Sequence, residues 1–374
     1  MADANDGRER AEELIASLAA VGDYVEAGQF SLDAEQARTK LRERRLADPH
    51  VWALLVVEAA WLLGASTLHF EFEGRATKAT LDGVRFSSSE LARLLDAPFM
   101  DRRALDPRAQ RRWRGLERLA VAIEACFALD ARAIELDSGG PGRETCRVWM
   151  GPEGGVEVED QALEPLLGNR LRLRVEHKLG GSRLYARTTR SLLRERVGDG
   201  VAVHVDGQRI GVALEDALDN LRTAVNIRDA KGHTFGLAGF NSPLHPANVH
   251  LYVRGVWVEN RELHHLQRGF CAAVDVDLAK DLSEARVRED EALDALLEQI
   301  VDAHDRLLER PENQRALVQR QAEDALEVHD SSLPLGFIVA AAVAVLATYA
   351  FGPKVLIVVA LGLGIKGLAD SIRG

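Results

Sequence analysis

Few residues in this chain have both the type and the setting for chemistry. Glu58 is the only charged side chain in the run WALLVVEAAWLL, Trp52 to Leu63. A carboxylate among hydrocarbon is either a general base or a group turned to an edge or a buried partner, and the second is expected of Glu58 ahead of the first. Asp82-Gly83 closes an alternating segment and carries a tight-turn signal. His264 and His265 adjoin Glu262, and His245 and His250 flank Pro246. Adjacent positions do not face one metal and neither pair has a convincing third ligand, so no metal site is expected. Cys126, Cys146 and Cys271 are too far apart for metal-ligand spacing or a disulfide framework, which fits a reducing compartment. A Ser-His-Asp or Cys-His set is assembled in space, and spacing alone reveals none here.

Caps and periodicity locate the elements that must hold these residues. Arg8 to Ala47 is patterned as two amphipathic helices, RERAEELIASLAAVGDYVEAG and LDAEQARTKLRERRL, the second behind Ser31. Asp48 and Pro49 then predict a helix start, with the apolar helix running to Gly64-Ala65. TLHFEFEG and ATKATLDG alternate as two adjacent strands. SSSELARLLDAPF restarts a helix behind a serine cap, and WRGLERLAVAIEACFAL is a long buried one. Strands follow at ARAIELDSG, TCRVWMG, GGVEVED and NRLRLRVEHKL. A helical layer against a largely antiparallel sheet is an α+β sandwich.

Charge narrows the function classes. A net charge of -11 and a pI near 5.6 argue against nucleic-acid binding, which needs clustered positive charge. The basic stretch MDRRALDPRAQRRWRGLER is expected to be a solvated helix face. MADANDGRERAEEL has no apolar core behind a basic start, so no secretory signal is expected and the body belongs in the cytoplasm. Leu333 to Phe351 holds 19 residues without a charge. At roughly 1.5 Å per residue it nearly spans a hydrocarbon core of ~30 Å. Val355 to Ile365 follows, and with Lys366 snorkelling, residues 333–370 predict a transmembrane hairpin turning at Gly352-Pro353-Lys354. One span plus an interfacial piece, or a buried oligomerisation hairpin, are the alternatives.

From about Asp48 to His177 the chain resembles the GHKL superfamily of gyrase-type topoisomerases, heat shock protein 90 chaperones, sensor histidine kinases and mismatch-repair ATPases. The resemblance is carried by the apolar helix with its Gly64-Ala65 exit into a strand, by LDG at Leu81 to Gly83, and by the helix and strand ending at Ser138. LLGNRLRLRVEH adds Gly168-Asn169. Aligned on Gly64-Ala65, the family's general-base Glu falls on Leu55, its magnesium-binding Asn on Ala59 and its next polar place on Leu62. Shifting the frame makes Glu58 the base but puts Leu62 four residues on, with no oxygen for a hard cation. The resemblance implies Asp82, Gly83, Gly115, Gly168 and Asn169 as residual nucleotide contacts. Glu117 and Arg118 stand where a backbone would approach phosphate, and Arg85 stands near a second glycine's place.

What the resemblance implies is a GHKL-type (Bergerat) α/β sandwich, a middle or transducer-like α+β domain and a C-terminal transmembrane helical hairpin. The expected divisions are an N-terminal arm at 1–47, an ATPase-like domain at 48–180, a transducer-like domain at 181–310, a juxtamembrane connector at 311–332 and the hairpin at 333–370. The second domain rests on SLLRERVGDGVAVHVDGQRI with its turn at Asp206-Gly207, on HLYVRGVWVENREL, and on the Asp281-Leu282-Ser283 junction before a closing helix. The implied protein is a membrane-anchored, chaperone-like pseudo-ATPase working through protein contacts, without a required cofactor and possible as a homodimer. The alternative is an ATP-binding conformational switch or weak ATP hydrolase. A structural partner that merely reuses the fold is a third class.

Overall fold

In the computed structural model the described residues are 23–25, 29–31, 48–100, 105–140, 145–152, 156–161, 168–178, 182–218, 221, 223–242, 244–281, 283–311 and 313. Within the N-terminal stretch the described pieces are β1 (Asp23–Val25) and β2 (Gln29–Ser31), an antiparallel pair. The first expected helix therefore does not run through Tyr24. Tyr24 and Val25 are β-prone, and that preference overrides the helical period at these two residues. The connector and hairpin expected beyond residue 313 lie outside the described residues. Among the described residues no helix is long and apolar enough to cross a membrane.

The molecule is mixed α+β with two larger sheets. Asp48 accepts a hydrogen bond from the His50 amide at 2.9 Å, and Pro49 opens a 3₁₀ turn that leads into α1 (Trp52–Leu63). Gly64 ends the helix at φ 69°, a left-handed C-cap that glycine enters without steric cost. β3 (Thr67–Glu73) and β4 (Ala76–Asp82) then pair in antiparallel register. Ser87 and Glu90 form a reciprocal capping box for the short α2 (Ser88–Ala92). Asp106 caps the 22-residue α3 (Pro107–Ala128). β5 (Ala131–Gly139), β6 (Thr145–Met150), β7 (Val156–Gln161) and β8 (Arg170–His177) follow.

The first sheet has eight strands in the order β10-β9-β3-β4-β8-β5-β6-β7. Its last two members come after α4 (Ser182–Arg196): β9 (Ala202–Val205) lies parallel to β3, and β10 (Gln208–Ile210) returns through a turn with positive φ at Asp206 and Gly207. The boundary expected near residue 180 thus falls inside the segment that completes this sheet. One face carries Leu68, Phe70, Leu81, Leu136 and Leu173 against α1 and α3, whose Leu55, Ala59, Leu116 and Leu119 join the same core. Full burial of a large aliphatic side chain contributes roughly 1.5–3 kcal/mol, so this layer dominates stability. The opposite face is polar. One row on it runs Arg209, His204, His69, Thr80, Arg172, Asp137, Arg147, Glu159, with a residue from every strand.

The second sheet contains β11 (Thr223–Arg228), β12 (Thr234–Phe240), β13 (Asn248–Val253), β14 (Val256–Glu262) and β15 (Phe270–Val276), ordered β11-β12-β15-β13-β14. α5 (Glu291–Leu308) buries Leu293, Leu296, Ile300 and Leu307 with Val249, Leu251 and Phe270 of this sheet. The two-residue turn Arg254-Gly255 joins β13 to β14, and its Gly255 carbonyl accepts the Gly198 amide at 2.8 Å. That contact ties the two sheets together beside α1.

Candidate functional site

The family-implied positions divide into two groups that the fold keeps apart. Leu55 and Ala59 are 1% and 0% exposed within the apolar core, and Leu62 is buried as well. Hydrocarbon fills the space around α1 where a base and a cation ligand would have to act. Gly115 lies inside α3, where a Cβ would come within 2.6 Å of the Leu63 side chain. Its lack of a side chain serves the approach of α1 to α3.

Asp82 belongs to the other face of the sheet. It alternates with the inward-facing Leu81 and shares the polar side with Thr80. Its carboxylate accepts from the Thr67 hydroxyl at 2.7 Å and from Arg170 Nε at 2.5 Å, with His69 Nε2 at 3.5 Å. Burial would raise its pKa, but Thr67 and Arg170 outweigh that and bring it below the ordinary carboxylate value. Gly83 has φ 85°, as a tight turn requires, and its amide donates to the Asn169 carbonyl at 2.8 Å, next to Gly168 at φ 87°. Asp82, Gly83, Gly168 and Asn169 are therefore brought together, and Gly115 is not among them. Ser138 accepts from the Phe86 amide at 2.7 Å and donates to the Phe86 carbonyl at 2.9 Å, pinning the chain after β4 to β5.

Glu58 has a different setting from either group. Its carboxylate is fully buried and takes Arg254 NH1 at 2.8 Å, Lys280 Nζ in a shorter contact, and Arg118 Nε at 3.5 Å. Glu284 bridges Arg118 at 2.5 Å and Lys280 at 3.0 Å. Arg254 also reaches Asp277 at 2.7 Å and the Leu278 carbonyl at 2.8 Å, and Arg114 grips Asp277 through two contacts of 2.7 and 2.5 Å. Helices α1 and α3 of the first unit and the β13–β14 turn and residues 277–284 of the second are thus joined by one ionic network.

Electrostatics follow from this geometry. Burial pushes Glu284 toward protonation, yet Lys280 and Arg118 overcome it and lower the pKa to about 2. Asp275 shows the reverse balance: burial, with Asp199 and Glu58 nearby, pushes it up to about 6 despite the Gly255 amide donating at 2.9 Å. Arg254 and Glu284 have left-handed backbones at φ 55° and 60°. Such conformations cost of order 1 kcal/mol for non-glycine residues and persist where surrounding contacts enforce them.

Sequence reasoning identified Glu58 as unusual but not its partners, which lie 196 and 222 positions away. Arg118, read as an obstruction to phosphate, is a member of the network. The available hint was the pairing of one carboxylate on an apolar helix with an Arg-Gly turn, a place where Asn-Gly is ordinarily preferred. His264 and His265 lie in the turn after β14, with His264 Nδ1 3.7 Å from Glu262. Among the described residues no three metal-ligating side chains converge. All three cysteines are buried and free. Compared with known proteins, the chain matches no family model and no curated protein significantly.

Proposed function

We propose that the chain is a chaperone-like protein of GHKL type that does not hydrolyse ATP and acts through protein contacts, held at the cytoplasmic face of a membrane by residues 333–370. The observation that carries this reading is the exchange of roles along α1. The places for a base and a magnesium ligand, Leu55 and Ala59, are sealed in the core, while the one carboxylate of the helix, Glu58, is committed to Arg254 and Lys280. Hydrolysis needs a base within reach of water and an oxygen ligand for the metal, and α1 offers neither. A helical layer on one face of an eight-stranded sheet, followed by a second α+β unit, supports the GHKL assignment. The buried ionic joint supports a scaffold whose two units move together.

Calorimetric titration of ATP, with and without magnesium, into the detergent-solubilised full chain tests the reading. The expected result, from protein with a cooperative thermal transition, is no binding that magnesium strengthens or that Asp82→Ala weakens. Micromolar binding abolished by Asp82→Ala would overturn it in favour of an ATP-gated switch.

A further inference from the structure

A second feature lies at the other end of the first sheet and does not depend on the reading above. From Asp82 to Ala76 is six residues along β4, about 20 Å of strand at 3.3 Å each. Beyond Ala76, a cavity of about 450 Å³ is lined by Arg75, Arg132, Arg174, Lys178, His177 and Glu176. Three local devices aim cations into it. Arg75 occupies the two-residue β3–β4 turn behind Gly74 at φ 49°, and its carbonyl accepts the His177 amide at 2.8 Å, which fixes the turn. Arg132 is the extra residue of a β-bulge between Ala131 and Ala133, a distortion that redirects a side chain out of the strand's alternation. Arg174 is braced by Glu176 at 2.7 Å and Glu135 at 3.4 Å.

The charge balance is unusual for this chain. Its net charge is -11, yet the cavity gathers three arginines and a lysine around one lining carboxylate, which Arg174 engages. Lys178 meets Asp130 at 3.2 Å through two exposed side chains, a weak pairing in water. Among the described residues no carboxylate pairs with the guanidinium of Arg75 or Arg132. Like charges converging without partners repel, and an anion between them relieves that repulsion. Guanidinium groups match phosphate oxygens through paired N–H donors, and the turn and the bulge fix the backbone from which Arg75 and Arg132 reach the cavity. The volume falls in the range of small-ligand sites and exceeds what one inorganic phosphate fills.

We propose that this cavity binds a small phosphate ester bearing several charges, with Arg75 and Arg132 as the primary phosphate contacts and Arg174 and Lys178 as supporting ones. His177 forms part of the wall. Its Nε2 shares a hydrogen bond of 3.0 Å with the Thr77 hydroxyl, and burial lowers its pKa, so the added charge comes from the arginines and the lysine.

Titration of inorganic tripolyphosphate into the detergent-solubilised full chain tests this site. Binding is expected, with affinity falling about tenfold or more in each of Arg75→Ala and Arg132→Ala, the usual cost of one charge-assisted contact. Both side chains are exposed, so the folded state should survive either change. The comparison variant is Arg228→Ala/Arg310→Ala, at a separate basic cavity on the second sheet, which should bind unchanged. Equal loss in that variant, unchanged affinity in the Arg75 and Arg132 variants, or no binding by folded protein would each overturn the proposal. Titration of water-soluble short-chain phosphatidic acid, with short-chain phosphatidylcholine as the control, separates two sources of the phosphate without a bilayer for residues 333–370 to enter. Binding to phosphatidic acid that requires Arg75 and Arg132 assigns the group to a lipid headgroup, while free tripolyphosphate binding alone assigns it to a soluble ester.

Discussion

Glu58 shows how one side chain can lose a catalytic possibility and gain a structural one. Moving an unpaired carboxylate into the protein interior costs several kcal/mol, and the cations of three separate chain segments offset that here. Removing the carboxylate takes from Arg254, Lys280 and Arg118 the one counter-charge that all three share, while Glu284 and Asp277 remain. Glu58→Leu should therefore destabilise the protein by about 3–5 kcal/mol even though it adds apolar volume to an apolar helix. Urea unfolding followed by tryptophan fluorescence measures this. A loss below about 1 kcal/mol would mean that the network is solvated and contributes little.

At the scale of elements, the contact between α1 and α3 depends on a missing side chain. Gly115 faces Leu63 at a separation that leaves no room for a methyl group. Gly115→Ala improves helix propensity by about 1 kcal/mol, but overpacking at such a contact costs about 1–3 kcal/mol. Net destabilisation is expected, and Leu63→Ala added to Gly115→Ala should recover part of it. A thermal-melt cycle over the two singles and the double reads the coupling; strict additivity would show that the helices do not meet there.

On the scale of the whole molecule, the joint between the two sheets makes stability depend on pH through two carboxylates of opposite sign. Asp275 has a native pKa of about 6, above its ordinary 3.8, so the native state binds the extra proton first. Its charged form opposes folding at pH 7, and that opposition fades as pH falls through 6 toward 4. Asp275→Asn, which keeps an acceptor for the Gly255 amide, should stabilise the protein at pH 7 by on the order of 3 kcal/mol and by less than about 1 kcal/mol at pH 4. Glu284 runs the other way: its native pKa of about 2 lies below 4.5, so its contribution is present above 4.5 and is lost as pH falls through 2. Glu284→Gln should be costly at pH 7, with a penalty that shrinks below pH 4.5. Denaturation midpoints of both variants against pH check the two slopes, and parallel profiles with the parent would contradict the assignment.

Local chemistry was legible in the sequence because it is written within a few residues. The Asp48-Pro49 start, the Gly64 exit, the serine cap before α2 and the β3–β4 alternation each depend on neighbours only, and each forms where the residues indicate. The sequence also determined that α1 is apolar apart from Glu58, and so that Leu55, Ala59 and Leu62 carry no polar group. Tertiary structure alone decided what Glu58 meets, since Arg254 and Lys280 reach it only after a second sheet has formed. It likewise decided that β9 and β10 complete the first sheet, because a parallel pairing with β3 across more than a hundred residues leaves no local mark. The face on which Asp82 lies has the same origin: alternation says that neighbours differ, and only the helices packed over Leu81 determine which side is the core.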